Sequence, residues 1–398
     1  MGRKNALLIF GDTFTFPEGN AATNRVYTFA KGFHENGIEA FVVCFRNDYV
    51  ETVEGSVNDI HYHHPFNQTK RSNSFVKRRL AKFNKYFRTF RIIRSINRDH
   101  KILAINLWTN RLLVQLYVYS LSRLFGTIVI HEHSEHPLRE FQRPFFKKIW
   151  GETKSFGGTM LCDGIFCISQ YLIDFYRSRN VKEGKLLLVP STVDTERFNN
   201  AGVSPLPYKY IAYCGSLTIK KDGVNILIDS FDRIMTERPD VDLVLIGKGD
   251  SEFEEAAIRK QTEHLNMNSR VHFIGQLSRT DVPAYLAGAQ VLALARPTSI
   301  IADAGFPSKL TEYLSTGKPV LVTQVGDIPI YLKDNENAFL AEPDSAEAFA
   351  DKLRYVLNNY EYALKVGSEG KRLTETIFNY NFQAVRMLEF IGTLRSKR

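Results

Sequence analysis

Cysteine and long apolar runs are scarce in this chain of 398 residues, and each scarcity excludes a class of protein. The four cysteines stand singly in apolar segments, at Cys44, Cys162, Cys167 and Cys214. We therefore expect reduced thiols in the core rather than a disulfide scaffold or a zinc site. No run approaches the roughly 18 apolar residues of a membrane span. The first apolar run, at 5–10, is too short for a signal peptide, so we expect a cytoplasmic protein.

What is present is typical of a soluble globular protein, with 44% hydrophobic and 24% charged residues. The length exceeds what one hydrophobic core usually serves, so two domains are expected. Apolar strand-like runs such as NALLIF, EAFVVCF and KILAINL alternate with helical segments. The same alternation begins afresh after the linker NNAGVSPLPYK, with YIAYCGSL and VDLVLIGKGD. This pattern predicts an α/β fold with two Rossmann-like, doubly wound parallel-sheet domains, and ligands in the cleft that they face.

The most informative stretch is 305–320, which reads GFPSKLTEYLSTGKPV. A helix can begin near Pro307, and Gly317 suits the left-handed end of that helix before a strand. Free N–H groups at a helix start favour an anion such as a phosphate, and Lys309 adds a charge there. Glu312, on the next turn, suits the paired hydroxyls of a ribose. The stretch therefore indicates a nucleotide-linked ligand, and the alternative is an ordinary amphipathic helix followed by a strand.

This stretch resembles the nucleotide-sugar site of GT-B glycosyltransferases, in the large retaining group called family 4. The resemblance implies that Glu312 holds the ribose of the donor. A second glutamate normally lies eight positions earlier and reaches the donor sugar, but this chain has Ala304 there, with Asp303 beside it. The residues of the motif that the resemblance assigns to the donor are Gly305, Phe306, Pro307, Lys309 and Glu312.

Further landmarks of the family follow in the expected order. The segment YCGSLTIKKDGVNILIDSF resembles the first strand, loop and helix of the donor domain, where an arginine and a lysine usually hold the diphosphate. Lys221 takes the lysine position in preference to Lys220, and Ser216, after Gly215, stands where the arginine is expected. LVLIGKGD and LLLVPSTVDTERF match two more landmarks. Gly19 resembles the N-terminal glycine loop near the donor phosphates, or else belongs to a plain strand-to-helix turn.

The resemblance also implies a division of the chain. Residues 1–200 form the acceptor domain, which includes a basic amphipathic segment at 70–101. Residues 201–378 form the nucleotide-sugar donor domain. Residues 379–398 form a polar helix that, in GT-B proteins, crosses back to the first domain.

A polar cluster ends the strand predicted at 127–133. His131, Glu132 and His133 lie where doubly wound sheets place functional groups. His131, His133 and His136 could supply three ligands to zinc. However, alternation along a strand sends His131 and His133 to one face and Glu132 to the other, and no distant motif supplies a fourth ligand. We therefore expect no metal site. The resemblance places this segment beside the anomeric carbon of the donor, which makes His133 or Glu132 the candidate to orient the acceptor or take its proton. Arg25, on the first helix, either faces the cleft or is solvated, and we expect it in solvent.

The resemblance implies a mechanism without a nucleophilic carboxylate pair. In family 4 the acceptor attacks the front face of the donor, and the leaving diphosphate accepts the proton of the acceptor. Catalysis then depends on holding the reactants and stabilising the leaving charge. Lys221, Lys309 and the N–H groups near Gly305 would supply that stabilisation. No cofactor and no divalent metal are expected.

Positive charge is concentrated in one segment of a chain whose formal net charge is +9. Residues 70–101 carry twelve Lys or Arg and a single acid, Asp99. Apolar residues recur among them at a helical spacing, at Val76, Leu80, Phe83, Phe87 and Phe90. A basic amphipathic helix is typical of a membrane-surface element, and the alternative is a stripe that packs on the first domain. The predicted membrane or acceptor contacts are Arg78, Arg79, Lys82 and Lys85. A second basic patch is LREFQRPFFKKIW, at 138–150.

We therefore expect a retaining glycosyltransferase with a UDP- or GDP-linked sugar as donor and a lipid-linked or glycan acceptor, in bacterial surface polysaccharide assembly. It would lie at the inner face of the cell membrane, on an anionic lipid surface. Nucleic acid is not an expected partner, because no RNA- or DNA-binding module is recognisable. Two alternatives stay open. One is a binding or scaffold protein with the same fold but no activity, which Ala304 and Ser216 favour, and the other is a nucleotide-sugar epimerase.

Overall fold

The computed structural model of the chain describes residues 3–19, 21–136, 158–199 and 202–397. The predicted basic patch at 138–150 lies outside these residues. The described chain forms two compact units. The first comprises Met1–Thr192 and Tyr380–Arg398, and the second comprises Val193–Asn379. The first unit thus ends at Thr192, whereas the sequence analysis placed the domain boundary after residue 200.

The helices and strands alternate along most of the chain. The strands are β1 (Lys4–Gly11), β2 (Glu39–Cys44), β3 (Glu54–Val57), β4 (Ile60–His63), β5 (His100–Trp108), β6 (Ile128–His133), β7 (Gly164–Cys167), β8 (Leu186–Leu188), β9 (Lys209–Cys214), β10 (Val241–Ile246), β11 (Val271–Gly275), β12 (Val291–Leu294), β13 (Val320–Thr323) and β14 (Phe339–Ala341). The helices are α1 (Ala21–Glu35), α2 (Phe75–Asp99), α3 (Leu112–Leu124), α4 (Gln170–Arg177), α5 (Glu196–Asn199), α6 (Val224–Asp232), α7 (Glu252–His264), α8 (Val282–Gly288), α9 (Ile300–Ala304), α10 (Ser308–Ser315), α11 (Ile328–Tyr331), α12 (Ala346–Asn358), α13 (Tyr360–Glu375) and α14 (Tyr380–Ser396).

The first unit is built on a sheet with the strand order β3-β4-β2-β1-β5-β6-β7-β8. All its pairings are parallel except the one between β3 and β4, which closes one edge as a hairpin. The central strands are almost wholly buried, because helices cover both faces of a parallel sheet. That burial explains why these strands read as continuous apolar runs in the sequence.

The C-terminal helix α14 belongs to the first unit, where it packs against α1. Gly32 makes this close packing possible. A Cβ atom at Gly32 would lie 2.7 Å from Cβ of Ala384 and 2.9 Å from the carbonyl oxygen of Tyr380. At the same contact, the Tyr380 hydroxyl donates a hydrogen bond of 2.7 Å to Glu35. Ala384, together with Met387, also lies in the hydrophobic core of the unit.

The second unit is built on a wholly parallel sheet with the strand order β11-β10-β9-β12-β13-β14. Successive strands are added outward from β9 in one direction and then, from β12, in the other. In open sheets of this kind, ligands bind at the carboxyl ends of the strands where the order reverses, which here is between β9 and β12. The predicted α/β fold of two parallel-sheet domains is therefore confirmed, with the β3–β4 hairpin as one antiparallel addition.

Candidate functional site

The first candidate site lies in the second unit, at the carboxyl ends of β9 and β12. Gly215 and Ser216 follow β9 directly, and Arg296 follows β12. The loop after β9 lies close against the end of β12. A Cβ atom on Gly223, whose φ is +65°, would collide with the carbonyl oxygen of Ala295. Only glycine combines that backbone conformation with so close an approach.

Lys309, on the first turn of α10, points into this site. Its ammonium nitrogen lies 2.7 Å from Oδ2 of Asp222 and 2.7 Å from the hydroxyl of Tyr213. The side chain is only 15% exposed. Gly215 leaves the room that this ammonium occupies, since a Cβ atom there would collide with it. Two residues assigned to the donor from sequence, Gly215 and Lys309, are thus in contact.

The charges of this pair stabilise each other against burial. Burial lowers the pKa of the Lys309 ammonium, while Asp222 acts to raise it. Burial also opposes ionisation of Asp222, but the positive charges of Lys309 and Arg296 outweigh it and lower the pKa of the carboxyl. The site therefore holds a buried ion pair at the point where the sheet order reverses.

Glu312, one turn further along α10, is also paired. Its Oε1 accepts a hydrogen bond of 2.7 Å from Nη1 of Arg197, on the short helix α5. Nη2 of Arg197 donates in turn to the carbonyl oxygen of Arg279, at 3.0 Å. Arg197 was not predicted as a site residue from sequence, although it lies in the segment LLLVPSTVDTERF that resembles a family landmark.

Two other donor residues predicted from sequence, Ser216 and Lys221, accept hydrogen bonds at their backbone carbonyls. The Ser216 carbonyl accepts a hydrogen bond from the Tyr213 hydroxyl, at 2.5 Å. The Lys221 carbonyl accepts one from Nε of Arg296, at 3.3 Å. Phe306 is also predicted to contact the donor, and its ring is buried between the rings of Tyr331 and Phe378.

The segment before α10 contains Gly305 and Pro307 of the motif, and Ala304, which stands where the family has its second glutamate. Gly305 ends α9 in an extended conformation, and Pro307 caps the start of α10. The predicted left-handed end is confirmed, since Gly317 has a φ of +71°. Ala304 is fully buried, whereas Asp303 is only partly so. Burial raises the pKa of the Asp303 carboxyl, and a hydrogen bond from the backbone of Gly326 opposes that effect.

The second candidate site lies in the first unit, at the end of β6. Glu132 is wholly buried and forms an ion pair with Arg25, with 2.9 Å between Oε1 and Nε. The other two guanidinium nitrogens donate to the carbonyl oxygens of Val189 and Pro190, at 2.7 Å and 2.6 Å. The expectation that Arg25 is solvated is therefore wrong, because this helix residue faces the end of β8 and is only 5% exposed. Glu132 acts as its counter-ion through Oε1, while its Oε2 is buried without a hydrogen-bond partner in the described part of the chain.

His131 and His133 form a hydrogen-bonded pair on the same face of β6. Nε2 of His131 lies 2.8 Å from the carbonyl oxygen of Thr109, and Nε2 of His133 lies 3.2 Å from Nδ1 of His131. A carbonyl can only accept, so Nε2 of His131 must carry the proton. Nδ1 of neutral His131 then accepts from Nε2–H of His133. This assignment from the hydrogen-bond network leaves Nδ1 of His133 as the free acceptor.

Burial keeps both histidines neutral. It lowers the pKa of His131 to about 4, although the hydrogen bond to Thr109 opposes it. It also lowers the pKa of His133 well below its usual value, with the neighbouring His131 adding to the effect. His133 is therefore a neutral acceptor at physiological pH rather than a group that titrates there.

The remaining predictions for the first unit concern Gly19 in the N-terminal glycine loop and the possibility of a metal site that includes His136. Gly19 lies between the hydroxyls of Thr15 and Thr23, both of which a Cβ atom at this position would meet. His136 packs against the ring of Phe175, at a centroid distance of 5.0 Å. Within the described ranges, no three His, Cys, Asp or Glu residues are grouped so that they could hold a metal ion.

The basic segment forms the long helix α2, which begins after the N-cap Ser74. Much of its apolar stripe faces solvent, and Phe83 is 70% exposed. α3 lies alongside, because the Tyr117 hydroxyl donates to the carbonyl of Tyr86 at 2.6 Å, and it adds Leu113 to the exposed apolar residues. We call this the α2 surface and define it by Phe75, Val76, Lys77, Arg79, Leu80, Lys82, Phe83, Phe87 and Leu113.

Lys85 does not belong to the α2 surface, which corrects the sequence analysis. It lies on the opposite face of α2 and is only 3% exposed. Its ammonium donates to Oδ1 of Asn47, at 2.8 Å, and lies 3.9 Å from the centre of the Phe45 ring. Arg78 is partly engaged as well, because its guanidinium donates to the carbonyl of Ser72. Among the described residues, no helix has the length and apolarity needed to cross a membrane.

Two family models match the chain, one over each part. The model described as "Glycosyl transferases group 1" matches residues 194–373, and "Glycosyltransferase Family 4" matches residues 22–197. The chain belongs to glycosyltransferase family 4. The resemblance inferred from the 305–320 motif is thereby confirmed.

Curated relatives are distant and match part of the chain. An uncharacterized glycosyltransferase of Methanocaldococcus jannaschii is 25% identical over 54% of this chain and 55% of its own length. A phosphatidyl-myo-inositol mannosyltransferase of Mycobacterium leprae is 24% identical over 52% of this chain and 54% of its own length. The chain thus spans about half the length of the curated relatives that it matches.

Solved structures match almost the whole chain at low identity. A sucrose-phosphate synthase from Thermosynechococcus elongatus has a TM-score of 0.75 and 16% identity, and covers 99% of this chain and 100% of its own. The Anabaena protein HepE, solved in complex with UDP and glucose, has a TM-score of 0.70 and 13% identity, with 98% and 100% covered. At such identities the likeness shows the fold that this chain shares with them.

The buried histidines of β6 predict a specific loss of stability in acid. In the unfolded chain His131 binds a proton below about pH 6.5. In the folded chain burial lowers its pKa to about 4, so it stays neutral until that pH. The free energy of unfolding should therefore fall between these values, by roughly 3 kcal/mol for this one group. His131→Gln should show a shallower fall in urea unfolding measured from pH 7 to pH 4.5. The exposed His264→Gln should keep the wild-type slope, and equal slopes in all three proteins would contradict the account.

Glu312 is predicted to contact a bound nucleotide. Loss of a hydrogen bond to a charged group costs about 1.5–3 kcal/mol, so Glu312→Ala should weaken UDP or GDP binding roughly tenfold to a hundredfold. Isothermal titration calorimetry measures the change directly. Glu347→Ala, which removes an exposed glutamate of the same unit, is the matched control. Wild-type affinity in a folded Glu312→Ala protein would remove Glu312 from the site.

Proposed function

We propose that this protein is a retaining glycosyltransferase that moves a sugar from a UDP- or GDP-linked donor to a lipid-linked or glycan acceptor. One observation carries the proposal. In a chain of glycosyltransferase family 4, a buried lysine ammonium contacts Gly215 at the reversal of the strand order, and Glu312 follows on the same helix. That arrangement has a cation for a diphosphate and a carboxylate for a ribose. Binding of UDP and glucose by the structural neighbour HepE supports the same class of donor.

The proposed chemistry needs no covalent intermediate. An acceptor hydroxyl forms the new bond to the anomeric carbon on the face from which the diphosphate departs. The bond from that carbon to the diphosphate oxygen breaks, and the hydroxyl proton passes to the leaving diphosphate. Lys309 stabilises the developing negative charge, and its fixed position avoids the cost of reorganisation. His133 orients the acceptor hydroxyl through its free Nδ1.

The acceptor is proposed to be carried by a membrane lipid, in assembly of surface polysaccharide. Two relatives support a lipid acceptor, because they are named as a phosphatidyl-myo-inositol mannosyltransferase and as a phosphatidylinositol monomannoside mannosyltransferase. The α2 surface supports docking on an anionic bilayer, at the inner face of the cell membrane. Its cations would attract anionic head groups, and exposed rings such as Phe83 would insert shallowly.

Turnover tests the function and the role of His133 together. The purified protein should release UDP or GDP when a nucleotide sugar is mixed with a membrane-lipid extract, and a radiolabelled sugar should pass to the lipid fraction. His133→Ala should keep the donor affinity and lose most of the turnover, because it acts on the acceptor. Tight donor binding without release would favour an inactive binding protein. Conversion of the donor without transfer would favour an epimerase.

Membrane docking is tested by co-sedimentation with vesicles. The wild type should bind phosphatidylglycerol vesicles more strongly than phosphatidylcholine vesicles, and high salt should weaken the binding by screening. Replacing Lys77, Arg79 and Lys82 by Glu should weaken it by roughly 3 kcal/mol or more, at ~1 kcal/mol per cation.

The matched control replaces three exposed cations of the second unit, Arg233, Lys260 and Lys365, by Glu. The control variant has the same net charge as the variant of the α2 surface. If the α2 surface is the contact, the control should nevertheless bind the vesicles as the wild type does. Equal losses in both triple variants, or equal binding to neutral and anionic vesicles, would contradict docking through α2.

A further inference from the structure

Arg296 is buried without enough partners. It follows β12, and its side chain is only 2% exposed. Its Nε donates one weak hydrogen bond, of 3.3 Å, to the Lys221 carbonyl. Across the described residues, no atom accepts a hydrogen bond from Nη1 or Nη2, although a guanidinium has five N–H donors. A largely buried guanidinium that makes one weak hydrogen bond keeps most of its donors available to a ligand, so its position in the site needs an explanation.

The protein offers Arg296 only part of a counter-charge. Its ion pair with Oδ1 of Asp222 is long, at 4.0 Å, whereas Lys309 already holds the other oxygen of that carboxylate at 2.7 Å. Two buried cations therefore share one carboxylate, and the cluster has an excess of positive charge. Asp303 also acts on Arg296 electrostatically, but it is less buried and accepts a hydrogen bond from Gly326. Burial lowers the pKa of Arg296, which is what an incompletely paired guanidinium should show.

The position of Arg296 connects it with Lys309. Arg296 leaves the sheet at the end of β12, next to β9, where the strand order reverses. The hydrogen bond to Lys221 and the contact of Gly223 with Ala295 hold the loop after β9 against this point. Arg296 and Lys309 therefore approach Asp222 from two different elements and enclose one small region of the second unit.

We propose that Arg296 binds the diphosphate of the nucleotide-sugar donor and supplies the cation that is absent at Ser216. The family resemblance expects an arginine directly after β9, and in this chain the guanidinium comes from the end of β12 instead. A diphosphate would satisfy the unused Nη1 and Nη2 donors and neutralise the excess charge. A guanidinium matches phosphate oxygens in a two-pronged geometry that an ammonium cannot provide. This inference rests on the proposed function, since it assumes a nucleoside diphosphate in the site.

The test compares nucleoside diphosphates with monophosphates, because a contact to the diphosphate acts on the difference between them. UDP, GDP, UMP and GMP are titrated calorimetrically into the wild type, Arg296→Gln, Arg296→Lys and the control Arg233→Gln. Arg296→Gln should bind the preferred diphosphate about tenfold or more weakly, as expected for a lost charged hydrogen bond. Its affinity for the monophosphate should change little. Arg296→Lys should lose less diphosphate affinity than Arg296→Gln, since it keeps the positive charge but not the two-pronged guanidinium geometry. Arg233→Gln should bind both kinds of nucleotide as the wild type does.

The outcomes separate this inference from the function on which it rests. Unchanged diphosphate affinity in a folded Arg296→Gln protein, or equal losses for diphosphate and monophosphate, would overturn the assignment. If Arg296→Gln does not fold, Arg296→Lys decides, and an unchanged ratio of the two affinities in it would overturn the assignment as well. A wild type that binds no nucleoside diphosphate would contradict the proposed function itself.

Discussion

The ion pair between Lys309 and Asp222 is the interaction on which the candidate donor site of the second unit depends. It joins the start of α10 to the loop between β9 and α6. Gly215 leaves free the space that the ammonium occupies, and the Tyr213 hydroxyl lies beside the ammonium. A buried ion pair contributes little net stability compared with apolar packing of the same volume. We therefore interpret its presence as a means of holding a cation at the carboxyl end of the sheet.

The two candidate sites differ in how far their polar groups are satisfied. In the first unit, all three guanidinium nitrogens of Arg25 have partners, and Glu132 neutralises its charge. That cluster holds the ends of β6 and β8 together, although Oε2 of Glu132 has no hydrogen-bond partner among the described residues. In the second unit, Arg296 is equally buried and lacks partners for two of its nitrogens among the described residues. Unused guanidinium donors together with surplus positive charge indicate a site for an anion, whereas a guanidinium whose three nitrogens are all paired indicates a structural role. The same residue type therefore has different roles in the two units.

Much of the fold could be predicted from the sequence because parallel strands are buried on both faces and read as apolar runs. The helix of the 305–320 motif and the left-handed Gly317 could be predicted as well, since they follow from local preferences. The β3–β4 hairpin was missed because its strands are short and polar. A signal was present in Asn58 and Asp59, which both adopt positive φ in the turn, as hairpin turns prefer.

Side-chain partners that are distant in sequence could not be predicted. Arg25 and Glu132 are separated by more than a hundred positions, so nothing local reveals that they pair. Arg296 was also missed, because its neighbours Asp222 and Lys221 are distant in sequence and an arginine after a strand is usually solvated. Lys85 was assigned to the membrane from charge alone, and only the helix face on which it lies shows that it is buried.

A crystal structure of the protein with UDP or GDP tests the central claim most directly, because it locates the nucleotide without relying on a variant. The account predicts the diphosphate within hydrogen-bonding distance of the Lys309 ammonium and the Arg296 guanidinium. It predicts the ribose hydroxyls at the carboxylate of Glu312. A nucleotide bound elsewhere, with Arg296 still lacking an anionic partner, would contradict the account.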